Sequence, residues 1–135
     1  MPQYFLYARK STDVEDKQVL SIEGQLAELR SLAKSESLEI AAEFVEKRTA
    51  KMPGRPVFNE MLSRIQQGEA QGIICWKLDR LARNPVDGGQ ISWLLQQGTI
   101  QRIQTHDRSH LSNDNVLMMS VEFGMANQFI RDLSA

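Results

Sequence analysis

Ser11 is a candidate hydroxyl nucleophile, set where the apolar run Tyr4 to Ala8 stops and a polar loop begins. A second apolar run, Ile73 to Trp76, leads into Lys77-Leu78-Asp79-Arg80-Leu81-Ala82-Arg83, so two strand ends would bring one serine and several guanidiniums together. A serine hydroxyl attacks poorly unless a base takes its proton or cations stabilise the developing oxyanion. Arginine meets the second need. Its planar fork grips two phosphate oxygens and stays charged at any working pH, so several arginines can clamp a phosphodiester without a metal. Arg9, Arg55, Arg64, Arg80 and Arg83 are available for that task. On a helical turn Arg80 and Arg83 would share a face, and Asp79, four residues before Arg83, would orient it.

Each of these residues also has an ordinary use. Ser11 before Thr12-Asp13 fits loop chemistry, Arg80 and Arg83 fit a solvated helix face, and Gln25 fits an exposed helix position. His106 and His110, near Asp107 and Asp114, invite a metal, but their surroundings read as a loop and no cysteine supports them. Cys75 is the only cysteine, which excludes an internal disulfide, and its place within Ile73 to Trp76 reads as a buried strand position. The chain has no Gly-rich phosphate loop, no GxGxxG, no HExxH and no nucleophile elbow.

The elements that must position these residues alternate. Tyr4 to Ala8, aromatic and without polar alternation, predicts a strand covered on both faces. Leu26, Leu29, Leu32 and Ala33 recur at helical spacing after a polar start at Ser21, which predicts a helix to about Ser35, followed by a strand at about Ile40 to Val45. Pro53-Gly54-Arg55-Pro56 punctuates the chain before a helix from Pro56 to about Gln67. Ile73 to Trp76 is the third predicted strand and Leu78 to Arg83 a short helical stretch stopped by Asn84-Pro85. Val86 to Gln97 is a helix ending near Gly98, and Ile100 to Gln104 the fourth strand. From about Asn115 a long helix is expected, rich in Met and Phe, with one side for the domain and the other for a partner. It meets no stop signal before Ala135, as if cut within the helix. The fold class expected is α/β, an open and mostly parallel sheet flanked by helices, with ligand sites at the carboxyl ends of the strands.

Composition agrees with one domain of 135 residues, 41% hydrophobic and 24% charged. No membrane span or signal peptide is legible, and a cytoplasmic protein is expected. A net charge of −1 argues against a free-standing nucleic-acid binder, although Lys47, Arg48, Lys51 and Arg55 form a local basic run without acidic residues.

Taken in order, Tyr7-x-Arg9-x-Ser11, Ser21-x-x-x-Gln25, Gly54-Arg55-Pro56 and Leu78-Asp79-Arg80-Leu81-x-Arg83 resemble the catalytic domain of serine recombinases, the resolvase and invertase family. The similarity spans nearly the whole chain and leans toward large serine integrases and transposon recombinases. It implies a resolvase-like three-layer fold over residues 1–135, with the last helix serving oligomerisation and the DNA-binding domain lying beyond it. It implies that Ser11 attacks a DNA phosphodiester, forms a 5′-phosphoserine link and frees a 3′-hydroxyl, with strand exchange and religation in a tetramer and without cofactor or metal. By matching position, Arg9, Arg80 and Arg83 would bind and activate the phosphate, Arg55 would assist, and Asp79 would orient arginines or move a proton. Tyr7, Ser21, Gln25 and Arg64 would support them.

The chain departs from the small resolvases in several places. The span from Ser11 to Ser21 is longer, Leu20 stands where they carry a glutamine, and Arg64 stands where they carry a lysine. Their final arginine aligns near Leu133, two residues from Arg131. The expected partners are double-stranded recombination sites and further copies of the chain, as dimer and tetramer. Two rival readings are a catalytically idle DNA-associated oligomerisation module of the same fold and a flavodoxin-like domain binding a small phosphate compound.

Overall fold

The computed structural model describes residues 2–10, 21–47 and 53–111. Among the described residues, five strands and four helices follow in the order β1 (Gln3–Arg9), α1 (Ile22–Ser35), β2 (Glu39–Glu46), α2 (Pro56–Gln66), β3 (Gly72–Cys75), α3 (Leu78–Leu81), α4 (Pro85–Gln97), β4 (Arg102–Gln104) and β5 (Ser109–Leu111). They form one sheet of order β2-β1-β3-β4-β5, parallel except for the antiparallel β4–β5 pair.

Helices cover both faces, which is why β1 carries no polar alternation. Tyr4, Leu6, Ala8 and Ile74 meet Leu29 and Ala33 of α1 on one side. Phe5, Tyr7, Ile73, Cys75 and Ile103 meet Phe58, Met61, Leu62 and Ile65 of α2 and Ile91, Leu94 and Leu95 of α4 on the other. This is the expected α/β architecture in three layers.

Local chemistry fixes the helix ends. Ser21 caps α1, its Oγ accepting from the Gly24 amide at 3.1 Å. Asn84 caps α4 ahead of Pro85, and Gly98 ends that helix in the left-handed region at φ 82°. Arg55 precedes α2 without a capping side chain of its own. The carboxylate of Glu46, at the end of β2, accepts from the Val57 and Phe58 amides at 3.0 Å each and so places negative charge at the helix start.

Two expectations are corrected. The segment after Gln104 is not simply a loop, because Ser109–Leu111 pairs with β4, His110 opposite Ile103. The helical stretch predicted through Arg83 stops at Leu81, and Ala82 is extended at φ −155° and ψ 141°. The expected long helix from about Asn115 lies outside the described residues.

Gly72 is a packing requirement of this sheet. A Cβ there would overlap the Tyr4 ring and come within 2.9 Å of the Arg102 carbonyl oxygen. Gly72→Ala is therefore expected to destabilise the domain by about 1–3 kcal/mol through overpacking, read as a lower urea midpoint at unchanged m-value.

Candidate active site

The strand order reverses between β1 and β3: the chain leaves β1 for β2 on one side and enters β3 on the other. In open α/β sheets the crevice outside the carboxyl ends of such a pair is the usual ligand position. The residues that follow β1 and β3 are the two motifs that carry the chemical argument.

Arg9 ends β1 and is buried, and its Nε donates to the carbonyl oxygen of Arg80 at 2.9 Å. Gln25, on the buried face of α1, donates through Nε2 to the Arg9 carbonyl at 3.0 Å. Arg80 is itself buried at the end of α3. Arg83, half-buried, stands in the extended link between α3 and α4 rather than on a helical face with Arg80. The helical spacing argument for Arg80, Arg83 and Asp79 therefore does not apply, although both arginines remain at the same sheet end. Asp79 belongs to α3, and Ser11 lies outside the described residues, one position after Lys10.

Tyr7 and Arg55 form a buried polar network beside this cluster. The Tyr7 hydroxyl donates to Glu46 Oε1 at 2.6 Å and accepts from Arg55 Nη1 at 2.9 Å. Burial pushes the Tyr7 hydroxyl far above the usual phenol range; the charge of Arg55 opposes the shift and the hydrogen bond to Glu46 adds to it. Tyr7 thus stays protonated at working pH. Arg55 Nη2 donates to the Leu81 carbonyl at 2.7 Å and to Asp87 Oδ2 at 3.0 Å, and its guanidinium lies 4.1 Å from the centre of the Phe58 ring. Asn84 Nδ2 donates to the same Asp87 oxygen at 2.8 Å.

Because the Arg55–Asp87 pair is almost fully enclosed, at 2% exposure on each side, removing one partner leaves a buried charge uncompensated. Arg55→Ala is expected to cost about 3–5 kcal/mol of folding stability, measured by urea unfolding.

Two supporting candidates sit elsewhere. Arg64 pairs with Glu69 at 2.9 Å and lies over the rings of Phe5 and Phe44, at 5.2 and 5.3 Å. Phe5 is four residues before Arg9, about 13 Å back along the strand, so Arg64 is not part of the strand-end cluster. Ser21 is exposed and engaged as the cap of α1. His106 stacks on Trp76 with ring centres 4.1 Å apart, while His110 is buried on β5. Among the described residues no three His, Cys, Asp or Glu side chains are placed to hold a metal, and no helix is long and apolar enough to cross a membrane.

Sequence reasoning missed Glu46, Asn84 and Asp87. Asn84-Pro85-x-Asp87 carried a usable signal, since an N-cap followed three residues later by an acid marks a helix start. Glu46 carried none, because its partners come together only through the sheet.

A family model described as Resolvase, N terminal domain, matches residues 4–135. Among solved structures, the N-terminal catalytic domain of TP901-1 integrase matches with a TM-score of 0.71 at 18% identity, covering 98% of this chain and 99% of that one. A resolvase family site-specific recombinase from Streptococcus pneumoniae gives 0.70 at 23% identity over 99% of this chain and 91% of that one. The C-terminal catalytic domain of ISC1926 TnpA, an IS607-like serine recombinase, gives 0.63 at 15% identity over 89% and 76%. At these identities the structural likeness is one of fold. No curated protein matches the sequence.

Proposed function

Because the chain belongs to the resolvase family, as a serine recombinase catalytic domain, we propose that it cuts and rejoins DNA at specific sites through Ser11. In the cleavage step the Ser11 Oγ–P bond forms and the P–O3′ bond breaks. The serine proton passes toward Asp79 or solvent, and the departing 3′-oxygen takes up a proton. The product is a 5′-phosphoserine link and a free 3′-hydroxyl. Religation is the same transesterification with a new 3′-hydroxyl, so the phosphodiester energy is kept in the protein–DNA bond.

The observation that carries this reading is the convergence of Arg9, Gln25 and Arg80 at the carboxyl ends of β1 and β3, with Ser11 two residues after Arg9 in the sequence. Fixed guanidiniums in low-dielectric surroundings stabilise charge on a pentacoordinate phosphorus far better than mobile ones in water. Arg9, Arg80 and Arg83 take that role in this proposal, Arg55 assists from the network behind them, and Tyr7 and Gln25 support the arginines. Strand exchange by dimers and tetramers through the segment after Asn115, and a single catalytic domain over residues 1–135, belong to the same proposal.

The test uses intact protein, a nicked recombination-site substrate and a denaturing gel. Label on the strand whose 5′ end is attacked should migrate with the protein, and label on the strand ending in the 3′-hydroxyl should not. Retention of the second label would mean a 3′-linked intermediate and contradict the proposed polarity, and retention of neither with DNA bound would argue for the idle module.

A further inference from the structure

The helix that presents Arg80 is only four residues long, too short to hold its place by helical cooperativity. Its last carbonyls are taken instead by two arginine side chains from other elements. Arg9 Nε, from β1, holds the Arg80 carbonyl, and Arg55 Nη2, from the start of α2, holds the Leu81 carbonyl. Arg55 is in turn held on two sides. Asp87 accepts from it directly, and Glu46 accepts from the Tyr7 hydroxyl that Arg55 contacts. Asn84, three residues after Leu81, fixes the Asp87 carboxylate. Folding alone does not call for these charges, because apolar groups of similar volume often replace a buried ion pair without loss. A directional fork supplies something apolar packing does not: it sets where one peptide sits.

We propose that Asp87 is a positioning residue for the recombinase reaction, acting through Arg55 to set the segment that carries Arg80 and Arg83. The inference rests on the reading that Ser11 attacks DNA. The Asp87 carboxylate does not touch DNA in this scheme. It acts on the rate of phosphoryl transfer and not on the attraction for DNA.

The experiment compares intact wild-type protein with Asp87→Ala and Asp87→Asn, after melting curves have identified which variants are folded. The rate of adduct formation is measured at saturating DNA on two substrates, one with an ordinary scissile phosphodiester and one with an uncharged methylphosphonate there. On the phosphodiester, Asp87→Ala should be slowed about 10²-fold, the scale expected of a small misplacement of catalytic groups, with DNA affinity within about twofold of wild type. Asp87→Asn, which keeps the shape and one acceptor oxygen, should recover most of that rate. On the methylphosphonate, which makes less demand on the arginines, the defect should shrink to less than about fivefold. If Asp87→Ala fails to fold, Asp87→Asn carries the comparison, with a smaller defect that must also shrink on the methylphosphonate. Folded variants that cleave at the wild-type rate, or that are equally slow on both substrates, would overturn the positioning role. Wild-type protein that binds the site and forms no adduct would instead overturn the reading beneath it.

Discussion

Ser11→Ala is expected to abolish covalent attachment to DNA, lowering cleavage by at least about 10⁴-fold, as loss of an enzymatic nucleophile does when the rest of the site survives. The nearby alternatives are committed elsewhere. The Tyr7 hydroxyl is buried between Glu46 and Arg55 and remains protonated. Cys75 is buried in β3 with its Sγ directed to the Lys77 carbonyl at 3.6 Å, and Ser21 caps α1. DNA affinity should stay close to wild type, because a neutral hydroxyl adds little to phosphate attraction. The check is single-turnover cleavage of nicked site DNA beside a binding titration, and residual adduct formation above about one part in a hundred of the wild-type rate would require a second nucleophile.

Arg80→Ala is expected to lower the cleavage rate by about 10²–10³-fold, the usual loss when one fixed donor to a developing oxyanion is removed. The substitution isolates the guanidinium. Arg9 grips the backbone carbonyl of residue 80, which alanine also supplies, so the anchor between β1 and α3 is retained. Arg30→Ala serves as the control. Arg30 makes an exposed ion pair with Glu43, Nη2 to Oε1 at 2.6 Å, on the β2 edge, and its loss should leave cleavage unchanged within about twofold. Equal losses for the two variants would mean that general DNA attraction, and not a placed arginine, accounts for the Arg80 effect.

Much of this was legible in the sequence because hydrophobic coverage writes itself into a chain. Six of the seven β1 residues are buried, and that demand excluded polar residues from Tyr4 to Ala8. The Pro and Gly residues around α2 and α4 marked their ends within a residue or two. Applied to the sequence, the strand-end rule puts Ser11 and Arg80 at one sheet edge, where Arg9 and Arg80 meet in the structure.

What was not legible depends on partners distant in sequence. A three-residue strand such as β5 has too little pattern of its own and is defined by pairing with β4. The end of α3 at Leu81 is set by arginine side chains capturing successive carbonyls, which no local periodicity records. Arg64 reads as a member of the phosphate set by residue type and by its place in the family resemblance. Its place at the far end of α2, over Phe5 and Phe44, follows from helix length. Arg55 reads in the sequence as one member of a local basic run, yet it is buried, because Glu46, Tyr7 and Asp87 surround it from three different elements.

The most direct measurement of the central claim is peptide mapping of the trapped protein–DNA adduct. Protein is denatured during cleavage of a nicked substrate, digested with protease and nuclease, and the nucleotide-bearing peptide is sequenced by mass spectrometry. The account predicts a phosphodiester remnant on Ser11 carried through the 5′-phosphate. A remnant on any other residue, or DNA joined through its 3′-phosphate, would contradict it.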